Sequence, residues 1–322
     1  MKAPDFDTLI IGQGLAGSAL AWHLVAAGER VCVLDDGHVS SSTAVAAGLV
    51  NPLAGMRFNR RPQMADWLQA ADQWYGALAH AFGRRFFHPL PMLRLLRSPQ
   101  QRRFYERRRD DPNCSDLLGP AFAVDACPEP VTATHGGFVQ QRTGYVDLPL
   151  LLDTIRAWLL ARGALQTTAV SHEEIRPCAD HVLAGDLSAR RLVFCEGPRA
   201  RNNPWFRFLP LAADKGEILN VEVAGWRPRH IINGSHWIVP LANGELRFGA
   251  THDHADIDDA VTEAGRTALL DAYRTLRPHD EPVVRAQRAG IRPGSADRYP
   301  LLGAHPDHPN LHVCNGFGAR GA

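Results

Sequence analysis

Three glycines at a fixed spacing constrain the fold of this chain more than any other feature. The motif Gly12-x-Gly14-x-x-Gly17 follows the short apolar and β-branched run of residues 8–11. A stretch with apolar residues at helical spacing comes next, and a second apolar run occupies residues 31–34. These patterns predict a strand, a turn, a helix and a second strand, which form a βαβ unit of about thirty residues.

The position of each glycine in this unit predicts a dinucleotide site. Gly12 permits a tight turn, Gly14 lets the backbone approach a pyrophosphate, and Gly17 lets the helix pack closely on the strand. The helix starts at Leu15 and Ala16, where free N–H groups and the positive end of the helix dipole face the phosphates. The alternative is a glycine turn in an α/β protein that binds no nucleotide.

The second strand ends at two carboxylates, Asp35 and Asp36. A carboxylate at this position accepts hydrogen bonds from the two ribose hydroxyls and disfavours a 2′-phosphate. The sequence therefore favours FAD or NAD over NADP, and the glycines do not distinguish FAD from NAD.

Composition excludes several classes of protein. Hydrophobic residues make up 45% of the 322 residues, as in globular proteins with a sizeable core. The net charge of +1 provides no strong field for nucleic acids or anionic membranes. Six scattered cysteines without a CxxC pair argue against structural zinc and suit a reducing compartment. Neither a signal peptide nor an apolar run of about 20 residues is evident, so we expect a soluble, cytoplasmic protein without a transmembrane segment.

The rest of the chain predicts a second, sheet-rich domain. Asn243-Gly244 separates two alternating runs, which indicates a β-hairpin. We predict an α/β fold: a Rossmann-type FAD-binding domain with a parallel sheet and helices, plus a mixed, mainly antiparallel substrate domain. The predicted helices are 62–83, 147–162 and 260–277, and further buried strands are 192–195 and 311–314. The FAD-binding domain takes residues 1–83, 145–199 and 284–322, and the substrate domain takes residues 84–144 and 200–283.

An ordered set of motifs resembles the FAD-dependent D-amino acid oxidase superfamily. The motifs are DTLIIGQGLAGSALAWHLVAAGERVCVLDDG, SSTAVAAGLVNP, GGFVQQRTGYVDLPLLLDTI, KGEI, HWIVPLANGELRFGATHDH, GIRPGSADRYPLLG and NGFGARG. The motifs cover most of the chain. The resemblance is weakest at about residues 84–130 and around residue 200. The resemblance implies FAD as the cofactor, and the absence of a cysteine close to Arg292 implies that FAD is bound non-covalently.

The resemblance also implies which residues hold FAD. Ser42 and Thr43 would lie near the phosphates, the backbone of Val170 would receive the adenine, and four residues would run along the flavin ring. Two further residues would lie near the adenosine part of FAD. Four residues at positions 318–321 would form a loop whose N–H groups face the flavin. The ring residues are Ala46, Ala47, Gly48 and Leu49; the adenosine residues are Cys195 and Gly197; the loop residues are Gly318, Ala319, Arg320 and Gly321. Relatives follow this loop with a helix, so we expect the natural chain to continue past Ala322, and we expect FAD to be loosely held without that helix.

In this superfamily a hydride leaves the carbon that bears an amine and goes to flavin N5. The resemblance implies that Arg292 holds a substrate carboxylate, for which a guanidinium fork is well suited. The alternative is a structural or surface arginine. O2, or a quinone or other electron carrier, would reoxidise the flavin.

Four further side chains are weaker candidates for the substrate pocket. His236 and Trp237 are neighbours on a strand, so only one of them should face the flavin, and the sequence does not say which. His252 would line the pocket from the next strand, and Arg247 lies near the position where sarcosine oxidases carry an oxygen-assisting lysine. Packing or solvent exposure is the alternative for each. His252 and His254 could form a metal pair, but no third ligand is evident, so we expect no metal.

Three functional hypotheses remain at this point. The first is oxidation of a small amino acid or secondary amine. The second is oxidation of a modified wobble uridine in tRNA, which the arginine-rich run 102–109 would suit, although we expect this run to be a solvated helix face and expect no nucleic-acid partner. The third is a flavin-binding protein without turnover.

Overall fold

A computed structural model describes residues 3–37, 41–53 and 55–319. The helices in these ranges are α1 Leu15–Ala26, α2 Ser42–Val45, α3 Met64–Phe82, α4 Pro99–Arg109, α5 Leu148–Leu160 and α6 Glu263–Leu276. The strands are β1 Phe6–Ile11, β2 Val31–Asp35, β3 Leu49–Val50, β4 Phe87–Pro89, β5 Met92–Leu95, β6 Leu118–Phe122, β7 Gly137–Gln140, β8 Gly144–Val146, β9 Leu165–Thr167, β10 Ile175–Pro177, β11 Val182–Ala184, β12 Leu187–Phe194, β13 Leu211–Glu222, β14 Ile231–Asn233, β15 Trp237–Pro240, β16 Leu246–Gly249, β17 Val283–Ser295, β18 Leu301–Ala304 and β19 Leu311–Asn315.

The first sheet has a parallel centre. Its order is β10-β11-β12-β1-β2-β9, with β19 paired to β12 and β18 paired to β19. Strands β9, β2, β1, β12 and β19 run parallel, so their carboxyl ends lie at one edge. The predicted βαβ unit is confirmed as β1, α1 and β2. Ligands of parallel sheets bind at this carboxyl edge.

Helices α1, α3 and α5 cover one face of this sheet with apolar side chains. Asp147 caps α5, because its carboxylate accepts a hydrogen bond from the Leu150 N–H at 3.2 Å. The core between helices and sheet is fully or almost fully buried and includes Ile10, Ala21, Val33, Leu78, Leu148, Leu151, Ile155 and Leu159. This packing holds the start of α1 at a fixed place above the carboxyl edge.

The second sheet is mainly antiparallel, in the order β17-β13-β16-β15-β14-β5-β7-β6. The predicted hairpin is confirmed: β15 and β16 pair antiparallel, and Gly244 in their turn has φ +89°. Helix α6 packs on one face of this sheet, where Leu269 and Tyr273 join Leu219 and Phe248 in a buried cluster. A small third sheet, β3-β8-β4, completes the fold.

Two element boundaries differ from the sequence prediction. Strand β12 begins at Leu187 rather than at residue 192, because residues 187–189 pair with β11 and lengthen the strand. Strand β17 spans residues 283–295 and pairs with β13, so the start of the predicted FAD-binding segment 284–322 extends the second sheet instead. The division into two domains stays a prediction. The pairing of β17 with β13 argues that the last boundary between the two domains lies after Ser295.

No helix in the described part of the chain is both long and apolar enough to cross a membrane. Within the same ranges, no group of three or more His, Cys, Asp or Glu side chains could hold a metal ion.

Candidate active site

The turn after β1 is crowded with backbone, as the glycine motif predicts. Gly12 has φ +97°, and a Cβ on it would lie 2.5 Å from the carbonyl oxygen of Cys195. A Cβ on Gly17 would lie 1.9 Å from the carbonyl oxygen of Gly12. Helix α1 therefore touches the turn directly, and only glycine fits at either position.

The first N–H groups of α1 point out of this turn. Gly14 is the N-cap residue and no side chain caps it, while the Leu15 N–H donates to the Thr43 hydroxyl at 3.1 Å. Ala16 follows in the first turn of the helix. Orphan N–H groups at a helix start favour anions. The geometry suits a pyrophosphate, and the contact brings Thr43 to the predicted phosphate position.

Asp35 is held in place by three donors. Its Oδ2 accepts from the Gln13 N–H at 2.8 Å, and its Oδ1 accepts from the Gly37 N–H at 2.8 Å and from Arg156 Nη1 at 2.7 Å. A carboxylate oxygen accepts two hydrogen bonds, so Oδ2 keeps capacity for one more donor. Ribose recognition by Asp35 stays a prediction. No sequence pattern predicted the contacts of Arg156 and Gln13 with Asp35. Arg156 in particular lies on α5, far along the chain from Asp35.

The adenosine end of the predicted site is built from neighbouring strand ends. Asp36 pairs with Arg199 at 2.7 Å, and Val170 lies partly buried after β9. Cys195 and Gly197 follow β12 directly, and Gly197 has φ +56°. These residues share the carboxyl edge with the glycine turn, and their contacts with FAD stay a prediction.

The segment 41–50 lies between the two sheets. The hydroxyl of Ser41 caps α2 by accepting from the Ala44 N–H at 3.2 Å, and the Ser42 hydroxyl donates to the carbonyl of Ile291 on β17. Val45 packs on β17, since a Cβ on Gly290 would lie 3.1 Å from the Val45 Cβ. This segment therefore joins the first sheet to the second.

The backbone at Gly48 approaches β8 very closely. Gly48 has φ +68°, and a Cβ there would lie 2.0 Å from the carbonyl oxygen of Val146. The carbonyl of Gly48 accepts from the Val146 N–H at 2.8 Å, and Leu49 then pairs with Tyr145. Ala46 and Ala47 precede this turn. Close backbone packing therefore requires glycine at position 48, and the contact of this segment with a flavin ring stays a prediction.

One face of the second sheet meets this segment, and the substrate candidates divide between the two faces. Trp237 packs beside Ala47 and Leu49, and its indole covers Gly249, whose Cβ would lie 2.9 Å from Trp237 Cζ2. His236 stacks on Phe248, at 5.5 Å between ring centroids, on the face covered by α6. Trp237 thus lies on the side of segment 41–50 and His236 on the side of α6, and the role of Trp237 in a substrate pocket stays a prediction. Burial lowers the pKa of His236, as expected for a packed imidazole.

Arg247 is buried on the same face as Trp237. Its Nη1 donates to the carbonyl of Ala46 at 2.8 Å, while its buried Nε has no partner among the described residues. Burial lowers the pKa of this guanidinium, and Arg288 nearby lowers it further. A buried cation therefore lies directly behind the segment predicted to line the flavin.

Arg292 also lies on this face, flat across Gly216. A Cβ on Gly216 would lie 2.1 Å from Arg292 Nη2, so glycine makes the room for the guanidinium. Arg292 Nη1 donates to Asp214 Oδ2 at 2.7 Å, and Nη2 donates to the Thr251 carbonyl at 3.3 Å. His252 Nδ1 lies 2.7 Å from Asp214 Oδ2, although its side chain is 64% exposed. Arg292 and His252 are thus brought together by Asp214, which no sequence pattern singled out.

The predicted C-terminal loop is described in part. Gly318 has φ +58°, and its N–H donates to the Pro293 carbonyl at 2.9 Å, which places the loop beside the end of β17. Ala319 is exposed. Arg320 and Gly321 lie outside the described residues.

Two thiols meet beneath the glycine turn. Phe194 pairs with Val313 in the register of β12 and β19, and Cys195 and Cys314 are the next residue after each; both are free cysteines. A hydrogen bond from the Cys195 thiol lowers the pKa of Cys314, while that hydrogen bond and burial raise the pKa of Cys195. The pair fills the space under Gly17, whose Cβ would lie 3.4 Å from the Cys195 Cβ.

Comparisons with known proteins identify the family. The DAO family, described as FAD dependent oxidoreductase, matches residues 7–322. The chain belongs to this family.

Several relatives of this FAD-dependent oxidoreductase are known. It is 26% identical to a glycine oxidase of Pseudomonas putida, over 97% of this chain and 90% of that protein. It is 27% identical to the tRNA 5-methylaminomethyl-2-thiouridine biosynthesis bifunctional protein MnmC of Azoarcus, over 99% of this chain and 55% of that protein. The solved structure of glycine oxidase from Geobacillus kaustophilus superposes with a TM-score of 0.82 at 21% identity, covering 99% of this chain and 91% of that one. The α/β fold with a Rossmann-type parallel sheet is therefore confirmed, and so is FAD as the cofactor.

The described residues fit FAD. The turn and Gly48 are packed so closely that only glycine is accommodated, the N-cap Gly14 offers no side chain to the start of α1, and Asp35 Oδ2 keeps capacity for one more donor. These features suit a pyrophosphate at the glycine turn and a ribose hydroxyl at Asp35, and the contacts of the individual residues with FAD stay predictions.

Proposed function

We propose that this FAD-dependent oxidoreductase oxidises the C–N bond of a small amino acid or secondary amine, by transfer of a hydride to N5 of bound FAD. The observation that carries the proposal is the shared sheet face: Trp237, Arg247 and Arg292 all lie on the side that meets segment 41–50. Glycine oxidase and iminodiacetate oxidase among the similar proteins support this substrate class. Bound FAD supplies the hydride acceptor.

The chain's own residues bind, orient and shield the substrate. The fork of Arg292 binds a carboxylate and so fixes which C–H bond faces the cofactor. Trp237 covers the sheet face beside segment 41–50 and excludes water from it. The pocket needs no catalytic base, because the neutral amine of the substrate itself drives loss of the hydride. Arg247 places a buried positive charge behind the same segment, where it favours developing negative charge.

A panel of amino acids and secondary amines, added anaerobically to the FAD-loaded protein, tests the reaction. We expect at least one member to bleach the visible flavin absorbance. Admission of O2, or of a quinone in a parallel sample, then identifies the acceptor. Absence of bleaching with every member would contradict the proposal and leave a flavin-binding protein without turnover.

The role of Arg292 has its own test. We expect Arg292→Ala to raise KM for a carboxylate substrate by about a hundredfold with FAD retained, since a charge-assisted bidentate contact is lost. Arg285→Ala is the matched control, because Arg285 lies on the same strand in an exposed ion pair with Glu222. An unchanged KM in Arg292→Ala would refute the assignment.

One observation favours a second candidate, oxidation of a modified uridine in tRNA. Helix α4 carries five arginines, and Arg107 and Arg57 lie 4.9 and 5.8 Å from the ring of Phe104. Exposed arginines beside an aromatic ring suit RNA phosphates and bases. Bleaching by modified tRNA alone, lost when Arg103 and Arg107 are changed to Glu, would replace the first proposal with this one.

A further inference from the structure

The fork of Arg292 is already occupied by a carboxylate of the chain itself. Asp214 Oδ2 accepts from Nη1 at 2.7 Å, and the Thr251 carbonyl accepts from Nη2 at 3.3 Å. Residues 214 and 292 face each other across β13 and β17, so the register of the sheet fixes the pair. A bidentate substrate carboxylate would have to compete for the same two nitrogens.

The surroundings strengthen this competition. The two side chains are only 20% and 19% exposed, so solvent screens them weakly. Asp214 Oδ1 is buried without a hydrogen-bond partner in the described part of the chain, and therefore the carboxylate depends on Arg292 and His252 for its contacts. A second carboxylate at Arg292 would place two negative charges on one positive charge.

We propose that Asp214 tunes substrate affinity, by competing with the substrate carboxylate for Arg292 and so weakening the binding of that carboxylate. The inference rests on the proposed function and deepens it: a substrate carboxylate reaches Arg292 against competition from Asp214, so it binds more weakly than it would if residue 214 were uncharged. A carboxylate substrate binds Arg292 only by displacing Asp214, which leaves one negative charge without its partner in a partly buried site.

Acetate, with acetamide as its uncharged counterpart, is the probe. Binding to the FAD-loaded protein is followed by calorimetry and by perturbation of the flavin spectrum. We expect Asp214→Asn to bind acetate about tenfold more tightly than the unmodified chain, because a nearby like charge is removed. Acetamide binding should not change. A merely structural role for Asp214 predicts the opposite sign, since damage to the site weakens binding.

Glu222→Gln is the matched control, because Glu222 and Arg285 form an exposed ion pair between the same two strands. It removes the same charge from the same strand and should leave acetate affinity unchanged. The double variant Asp214→Asn/Arg292→Gln should lose the gain, which shows that Asp214 acts through Arg292. Asp214→Ser is measured in the same way and replaces Asp214→Asn if that variant fails to fold.

Three results would overturn the inference: no gain in either Asp214 variant, an equal gain in Glu222→Gln, or a gain that survives in the double variant. Acetate binding needs no turnover. Failure of every amine to bleach the flavin therefore counts against the proposed function, whereas absence of a gain in acetate affinity counts against the role of Asp214.

Discussion

Replacement of Gly17 by alanine tests the close contact on which the cofactor site depends. A Cβ at this position would lie 1.9 Å from the carbonyl oxygen of Gly12, whereas real Cβ atoms stay beyond 3.0 Å. The neighbour is backbone held by β1, so α1 itself must move by about 1 Å, against a close-packed core. Overpacking of this kind costs about 1–3 kcal/mol. Alanine has a higher helix propensity than glycine, and this difference offsets about 1 kcal/mol of the overpacking cost.

We take the overpacking cost at the upper end of its range and subtract the gain in helix propensity. Gly17→Ala should then lower the free energy of unfolding by about 2 kcal/mol. FAD affinity should fall as well, because the N–H groups of α1 move with the helix. Urea unfolding of the apoprotein measures the first effect, and titration with FAD measures the second.

Gly76→Ala is the matched control. Gly76 also lies inside a helix, α3, but a Cβ there would meet nothing within 4 Å. The control should gain about 0.5–1 kcal/mol and keep its FAD affinity. If Gly17→Ala proved as stable as Gly76→Ala and bound FAD equally well, the argument from backbone crowding would be refuted.

Three further predictions follow from contacts elsewhere. Gly48→Ala, whose Cβ would lie 2.0 Å from a carbonyl of β8, should weaken FAD binding at least tenfold, as titration with FAD would show. Gly216→Ala should displace the flexible end of Arg292, raising KM for carboxylate substrates severalfold while the urea midpoint changes little. The hydrogen bond between His172 and Glu196, 2.6 Å long, raises the pKa of His172, so its stabilisation is full below the unfolded pKa of about 6.5 and is lost as pH rises through the folded pKa. The stability difference between the unmodified chain and His172→Gln should therefore be larger at about pH 5.5 than at about pH 9, and equal differences at both would contradict the assignment.

Local patterns were sufficient to predict the framework of the fold. The glycine spacing predicted the turn between β1 and α1, and Asn243-Gly244 predicted the hairpin, because both are set by neighbouring residues. The same holds for the long helices, whose apolar faces repeat at helical spacing.

Contacts between distant strands could not be predicted in this way. Asp214 and Arg292 are 78 residues apart, and only the register of β13 against β17 brings them together. The choice between His236 and Trp237 likewise depends on which face α6 covers, and alternation along a strand does not reveal this. The arginine that holds Asp35 comes from α5, which meets the carboxyl edge through tertiary packing alone.

The order of elements along the chain has a consequence for synthesis. The glycine turn at residues 12–17 is synthesised long before β19 and the loop beside Pro293. Strand β12 is left without its parallel neighbour until residues 311–315 have been made. The carboxyl edge of the first sheet can therefore close only after β19 has been synthesised, so we expect FAD to bind after residues 311–315 have been made.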